Sequence, residues 1–495
     1  MAALDLKQAA RAGAGWATLE VASSGLVQVT RVVVLARFLV SPEEFGLVAL
    51  ATAALLFIGA LSAMGTMQYL LFRTDAPRGV VSSIFWLNVG SGAVFCGLMM
   101  LGADPLAAVL GEPGLEGPLQ ALAVVLVIDA VANPLMAIFI RNFEYKYHAI
   151  AETVPSLFGT ALTFAIAIAG DGLWALIIGL IGQRALRMAI ALWWGARQID
   201  LAFSSTELVQ FFRFSGLAIA ERLAGTVNER APHLCLGWLQ NPAQVGLFAV
   251  TSNLITVPLV YFMSVALLMA TPVFARMQKE QERLSNAYFF SLELTMTIIA
   301  PAFLGLLVAA PLVVPMLLGQ AWAGAVPTLQ YLCLSFTFHA VYFFGAGLTL
   351  GTGRMNAAFA LTGMQAPAVL VASLLGARLG GAEGVAIGQA IVSVATVVPY
   401  YLFVTRRVLG PCLPTFLASF TIPIAMASAM ALAVAVLAQL LAGSNPYLLL
   451  GLEVATGVSV YAALVLVFRP RLAREIAHFL PLDRLSRRYA VAPPA

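Results

Sequence analysis

Runs of about 20 mostly apolar residues, the length that carries a helix across a bilayer, recur through this chain and leave little sequence for anything else. Turn formers and charges cut the runs apart at Ser41-Pro42-Glu43-Glu44, Gly111-Glu112-Pro113-Gly114, Gly170-Asp171-Gly172, Asn241-Pro242, the cluster 279–283, Gly351-Thr352-Gly353-Arg354 and Gly410-Pro411. The spans expected between the cuts run roughly over 13–39, 46–70, 82–103, 119–140, 151–170, 173–195, 213–238, 244–268, 287–310, 326–350, 357–377, 384–405, 416–441 and 446–468, about fourteen in all. The fold class expected is an all-α polytopic integral membrane protein. Lys7 and Arg11 precede a first run that is too long for a signal-peptide core and lacks an A-x-A-like end, so that run is expected to stay as the first span.

Composition excludes the rival classes. Of 495 residues, 61% are hydrophobic and only 10% are charged. Soluble chains carry about 25% charged residues, and a tenth cannot cover a soluble surface of this size. A soluble enzyme, a nucleic-acid binder and a disordered scaffold are thereby set aside. Cys96, Cys235, Cys333 and Cys412 lie far apart and form no CxxC.

The few charges sort by side. With alternating spans and a cytoplasmic N-terminus, one set of loops holds Arg73, Arg78, Arg141, Lys146, Arg197, Arg276, Lys279, Arg283, Arg354, Arg406 and Arg407. The opposite loops hold Glu43, Glu44, Asp104, Glu112, Glu116, Asp171 and Glu383, with Arg378 the one clear basic exception. Positive loops stay cytoplasmic, so both termini are expected in the cytoplasm. The segment 204–214 reads as an interfacial amphipathic helix joining two halves. Residues 469–495 read as a basic cytoplasmic tail on anionic lipid.

The chain also repeats itself. A shift of 200 residues lays Leu39, Pro42, Gly46, Leu47 and Ala49 on Leu239, Pro242, Gly246, Leu247 and Ala249. Shifts of 208, 210 and 212 align Leu110-Gly111 with Leu318-Gly319, Asp129-Ala130-Val131 with His339-Ala340-Val341, and Asp171-Gly172-Leu173 with Glu383-Gly384-Val385. An even number of spans per copy makes the repeat parallel, with its axis along the membrane normal. The expected organisation is a six-helix bundle over 1–200, a second over 201–410, two additional helices over 411–468, and the tail over 469–495.

Ionisable residues at bilayer depth are costly and usually face a cavity or a partner. In the first span Glu20, Ser24, Gln28 and Arg31 fall on one stripe of a helix. In the seventh, Arg222, Thr226, Glu229 and His233 do the same, flanked by Asn228 and Arg230. One reading is a polar, net-cationic cavity for an anionic substrate, since guanidinium bonds phosphate bidentately. The other is ion pairing that locks two halves together. Asp129 and His339, at matching positions of spans 4 and 10, form a candidate pair for ion coupling, the alternative being a static hydrogen bond. Glu152, Arg184 and Arg187 read as snorkelling span ends. No Walker A loop, HExxH or Cys/His cluster is present, so neither an ATP-driven pump nor a metal or other cofactor is expected.

Several motifs together resemble a known family. Ala36-Arg37-Phe38-Leu39, the stretch 41–49, Ser83-Ile84-Phe85-Trp86-Leu87-Asn88, Arg141-Asn142-Phe143-Glu144-Tyr145-Lys146, Gly172-Leu173-Trp174-Ala175-Leu176, Leu317-Leu318-Gly319-Gln320-Ala321-Trp322 and Gly351-Thr352-Gly353-Arg354 are similar, in order, to Wzx-like bacterial polysaccharide-export flippases of the MATE-like MOP exporter superfamily. The resemblance implies a carrier in the bacterial inner membrane for polyprenyl-diphosphate-linked oligosaccharide that works by alternating access for exopolysaccharide, capsule or O-antigen synthesis, with a polysaccharide polymerase and export machinery as partners. It implies no enzyme activity. A drug or metabolite antiporter of the same fold is the main alternative, although its cavity should be dominated by acids. A membrane polymerase or ligase would need a large external loop, which this chain lacks.

Overall fold

The computed structural model describes residues 25–472 except 26, 73–77, 201–204, 442 and 471. Among them there is no strand; the chain is a stack of long helices. Helix α1 covers residues 27–38. It is followed by α2 (Pro42–Ser62), α3 (Thr66–Phe72), α4 (Arg78–Leu101), α5 (Ala103–Leu110), α6 (Glu116–Arg141), α7 (Tyr145–Ile168) and α8 (Gly172–Gly195). Then come α9 (Ser205–Leu239), α10 (Pro242–Met277), α11 (Gln281–Leu317), α12 (Val326–Gly351), α13 (Met355–Tyr400), α14 (Arg406–Leu409), α15 (Leu413–Leu440) and α16 (Pro446–Phe468).

Among the described residues, 11 helical segments are long and apolar enough to cross a bilayer. One of them holds two spans. Gly380 (φ −154°, ψ 21°) and Gly381 (φ 57°, ψ −135°) break α13 into two arms. The second conformation is open only to glycine. The arms then cross so closely that a Cβ on Gly376 would stand 2.4 Å from the Gly384 carbonyl oxygen. Helix α9 falls outside the 11 because its charges dilute it, although its 35 residues are more than a bilayer needs. The architecture is consistent with about fourteen spans.

Helix starts are set by local chemistry. Ser41 caps α2 through a reciprocal box: the Glu44 amide donates to Ser41 Oγ, and the Ser41 amide donates to Glu44 Oε2 at 2.9 Å. Asn241 caps α10 and Asp171 caps α8 through their side chains, and Pro42 and Pro242 stand in the first helical turn.

Two expectations need correction. The span expected over 46–70 is two helices, because the chain turns through positive φ at Met64 (46°) and Gly65 (73°). The segment 204–214 is no separate interfacial helix; from Ser205 it is the first part of α9. Helices α9, α10 and α11, of 35, 36 and 37 residues, are each about 52–55 Å long at 1.5 Å per residue. A bilayer core is about 30 Å thick.

Helices α2 and α10 pack on each other at the middle of the molecule, α9 packs on α2 and α13, and α6 packs on α4 and α8. Helices α15 and α16 lie outside against α11 and leave an apolar groove of about 520 Å³ beside it.

Candidate functional site

The end bearing the acidic loops is shut, and the repeat positions shut it. A Cβ added to Gly46 would lie 1.8 Å from the Pro242 carbonyl oxygen, and one added to Gly246 would lie 1.9 Å from that of Pro42. The two helix starts therefore cross main chain on main chain, and the residues related by the 200-residue shift face one another. Trp322 closes one flank. It is 1% exposed, its Nε1 donates to the Ala36 carbonyl at 2.8 Å, and its ring meets Phe45 edge-on at 6.0 Å. Arg37 Nη1 donates to the Pro315 and Met316 carbonyls at 2.7 and 3.0 Å, placing a cation at the negative end of α11. On the other flank, Gln244 Oε1 accepts from the Ala382 amide at 2.9 Å, and Gln240 Nε2 donates to the Ala377 carbonyl at 2.8 Å.

Below this closure lie the polar positions of α1 and α9. Arg31 Nη2 donates to Gln28 Oε1 at 2.9 Å, one helical turn away on the expected stripe. Glu20 and Ser24 lie outside the described residues. On α9, Thr226 is buried and its hydroxyl donates to the Arg222 carbonyl at 2.8 Å, while Arg222 itself is exposed. Arg230 is only loosely paired with its exposed neighbour Glu229, at 3.8 Å. His233 is buried, with its ring edge-on to Phe248 of α10 at 5.2 Å. Buried Asn228 Oδ1, Arg230 Nε and His233 Nδ1 have no hydrogen-bond partner among the described residues. Buried polar atoms are rarely left so. The outer third of α9 therefore carries unspent donors and acceptors next to the closed end.

Asp129 and His339 find separate partners. Asp129 Oδ1 lies 3.5 Å from Arg184 Nη1 and 3.6 Å from Arg187 Nη1. Its helix α6 packs on α8, so the α8 guanidiniums reach its carboxylate first. His339 Nδ1 shares a 2.9 Å hydrogen bond with Tyr342 Oη, and the ring sits among Phe336, Tyr342 and Phe343. Arg187 does not snorkel either. It is 8% exposed, its Nε donates to Glu152 Oε1 at 2.8 Å, and its Nη1 donates to Asn133 Oδ1 at 2.9 Å. The signal that finds this cluster lies in the spacing. Asp129 and Asn133 are one turn apart on α6, and Arg184 and Arg187 stand 12 and 15 residues into α8, well away from its ends.

Sequence comparison supplies the family. Residues 34–327 match a family described as "Polysaccharide biosynthesis protein". The chain belongs to this family. Two relatives span nearly its whole length. The lipopolysaccharide biosynthesis protein WzxC of Escherichia coli (strain K12) is 25% identical over 85% of this chain and 86% of its own. The succinoglycan biosynthesis transport protein ExoT of Rhizobium meliloti (strain 1021) is 25% identical over 97% of this chain and 96% of its own. In three dimensions this family member is similar to the lipid II flippase MurJ in an inward closed conformation. The TM-score is 0.74 at 13% identity, covering 92% of this chain and 98% of the other. At that identity the likeness shows a shared fold, in keeping with the all-α polytopic fold expected.

Proposed function

We propose that this family member is a flippase that carries polyprenyl-diphosphate-linked oligosaccharide units across the bacterial inner membrane for polysaccharide synthesis. The family, the biosynthesis and transport names of its relatives and the flippase fold support the reading. The observation that carries it is the placing of a guanidinium donor without a partner, Arg230 Nε, on α9 beside an end already closed. A diphosphate at this level of α9 would find Arg230 with spare hydrogen-bonding capacity, Asn228 and His233 next to it, and Arg222 two turns further from the closed end. The prenyl tail would stay in lipid. Residues 1–200 and 201–410 act as the two rocking bundles, with both termini in the cytoplasm, and a polysaccharide polymerase takes the product on the far side.

The test is complementation in a strain lacking this gene. Arg31→Ala and Arg230→Ala are expected to abolish polysaccharide export while the protein still inserts at wild-type amounts. Normal export by both variants would show that these arginines handle no substrate.

A further inference from the structure

Asp129, Asn133, Glu152, Arg184 and Arg187 form a compact charged cluster between α6, α7 and α8, remote in sequence from the α9 stripe. Its depth is near mid-membrane: Asp129 is 13 residues into the 26 of α6, about 20 Å from either end. Its direction follows from the helical period. On α7 the exposed apolar residues include Val154, Leu157, Phe158 and Ile168, and Glu152 lies on average about 185° around from them at 100° per residue. On α8 the exposed residues are Trp174, Ile178 and Trp193, from which Arg184 and Arg187 lie about 80° to 180° around. The lipid-facing stripes thus point away from the cluster. Yet the side chains of Arg184, Asp129 and Glu152 keep 30%, 25% and 29% of their exposure. That exposure lies off the apolar stripes of α7 and α8, on the sides of these helices that carry the charged groups.

The contacts within the cluster are of two kinds. Arg187 is fixed by two short hydrogen bonds, to Glu152 and Asn133. Close packing of α7 on α8 supports this, since a Cβ on Gly159 would stand 2.9 Å from the Gly179 carbonyl oxygen. Asp129 is different. It balances Arg184 and Arg187 by charge alone at 3.5–3.6 Å, and its Oδ1 accepts no hydrogen bond among the described residues. Arg184 Nε is likewise without a partner there. A carboxylate held by attraction without directed bonds is a replaceable one, because a group with more oxygens and more charge can supply both.

We propose that Arg184 and Arg187 form a second anion site that takes the substrate's diphosphate, and that Asp129 is the built-in counter-ion the diphosphate displaces. The proposal rests on the flippase reading above and names where the head group sits once it leaves α9. Two carboxylates against two guanidiniums keep the empty site neutral in the membrane. The arriving diphosphate replaces Asp129 on both forks, and the carboxylate turns away from them. Since Asp129 ties α6 to α8, occupancy also removes that tie inside the first bundle.

The full-length protein, purified in detergent micelles, tests this with farnesyl diphosphate as a short polyprenyl diphosphate and inorganic pyrophosphate as competitor, read by calorimetric titration. The two roles predict opposite signs for one variant. Asp129→Asn removes the competing anion and is expected to tighten farnesyl diphosphate binding about threefold to tenfold. Arg184→Gln is expected to weaken it at least about tenfold, the factor carried by one charge-assisted hydrogen bond. Arg184→Lys, which keeps the charge and loses the fork, is expected to fall between wild type and Arg184→Gln. A folded Asp129→Asn protein that binds no tighter than wild type overturns the displacement. Should that variant aggregate, wild-type affinity in Arg184→Gln and Arg184→Lys overturns the site. If the wild-type protein itself fails to bind farnesyl diphosphate, the substrate class falls and the site with it. That result differs from wild-type binding with unresponsive variants, which spares the flippase reading.

Discussion

Gly46→Ala adds one carbon at the tightest point of the closed end. That carbon would stand 1.8 Å from the Pro242 carbonyl oxygen, whereas real Cβ atoms essentially never approach within 3.0 Å. The α2–α10 crossing must therefore widen by at least about 1.2 Å, and neither side can yield by rotating a side chain. Overpacking of this kind costs about 1–3 kcal/mol. The contact exists only while this end is shut, so the cost falls on that state alone. A differential of that size shifts a two-state equilibrium about 5- to 150-fold. Cys235 reports the shift. It lies buried in α9, and two residues on, a Cβ at Gly237 would meet Leu50 Cδ1 of α2 at 2.5 Å, so α9 lies against α2 there. In a background of Cys96→Ser, Cys333→Ala and Cys412→Ser, alkylation of Cys235 by a water-soluble maleimide is expected to speed up at least about fivefold in Gly46→Ala. The reciprocal Gly246→Ala should do the same. An unchanged rate in both variants, with the protein still monodisperse, would refute the reasoning.

Two further outcomes rest on the same geometry. Arg37→Ala removes two hydrogen bonds to the last carbonyls of α11 and is expected to loosen the closed end by about 1–3 kcal/mol, read as faster Cys235 alkylation and a lower melting temperature. Glu144, in the turn between α6 and α7, has its carboxyl pushed above the usual range by burial. A raised folded-state value means that stability is full below the unfolded carboxylate range and declines as pH rises through the folded one. Glu144→Gln should therefore melt higher than wild type at neutral pH and level with it near pH 4, and the reverse order would contradict the burial.

Much of the fold can be read in the sequence because bilayer thickness and helix capping act locally. Ser41, Asn241 and Asp171 mark helix starts from their own side chains, and the glycine-bearing break after Arg378 is where α13 folds back. The Met64–Gly65 turn is hidden because Met64 is an ordinary apolar residue in an apolar run, and nothing in its side chain announces a positive φ. The start of α9 is hidden for the opposite reason. Its polar residues resemble an interfacial helix, and only tertiary packing makes them one rod with the remainder of α9. In the candidate site the α9 stripe is visible as periodic charge. The partner of Asp129 is not, because the 210-residue register ranks His339 first whereas packing of α6 on α8 brings Arg184 and Arg187.

The crossing of α2 and α10 has an electrical consequence. Moving one elementary charge across a membrane potential of 100 mV releases about 2.3 kcal/mol, so any transporter that flickers open short-circuits the cell that hosts it. Barriers built of side chains flicker, because exposed rotamers hop on the picosecond to nanosecond scale and each hop is a momentary path for an ion. Gly46 against Pro242, and Gly246 against Pro42, have no rotamers to hop. They part only when whole helices part, which takes microseconds to milliseconds. Where α2 crosses α10 the seal is thus independent of rotamers, and only the flanks held by Trp322, Gln240 and Gln244 rely on side chains.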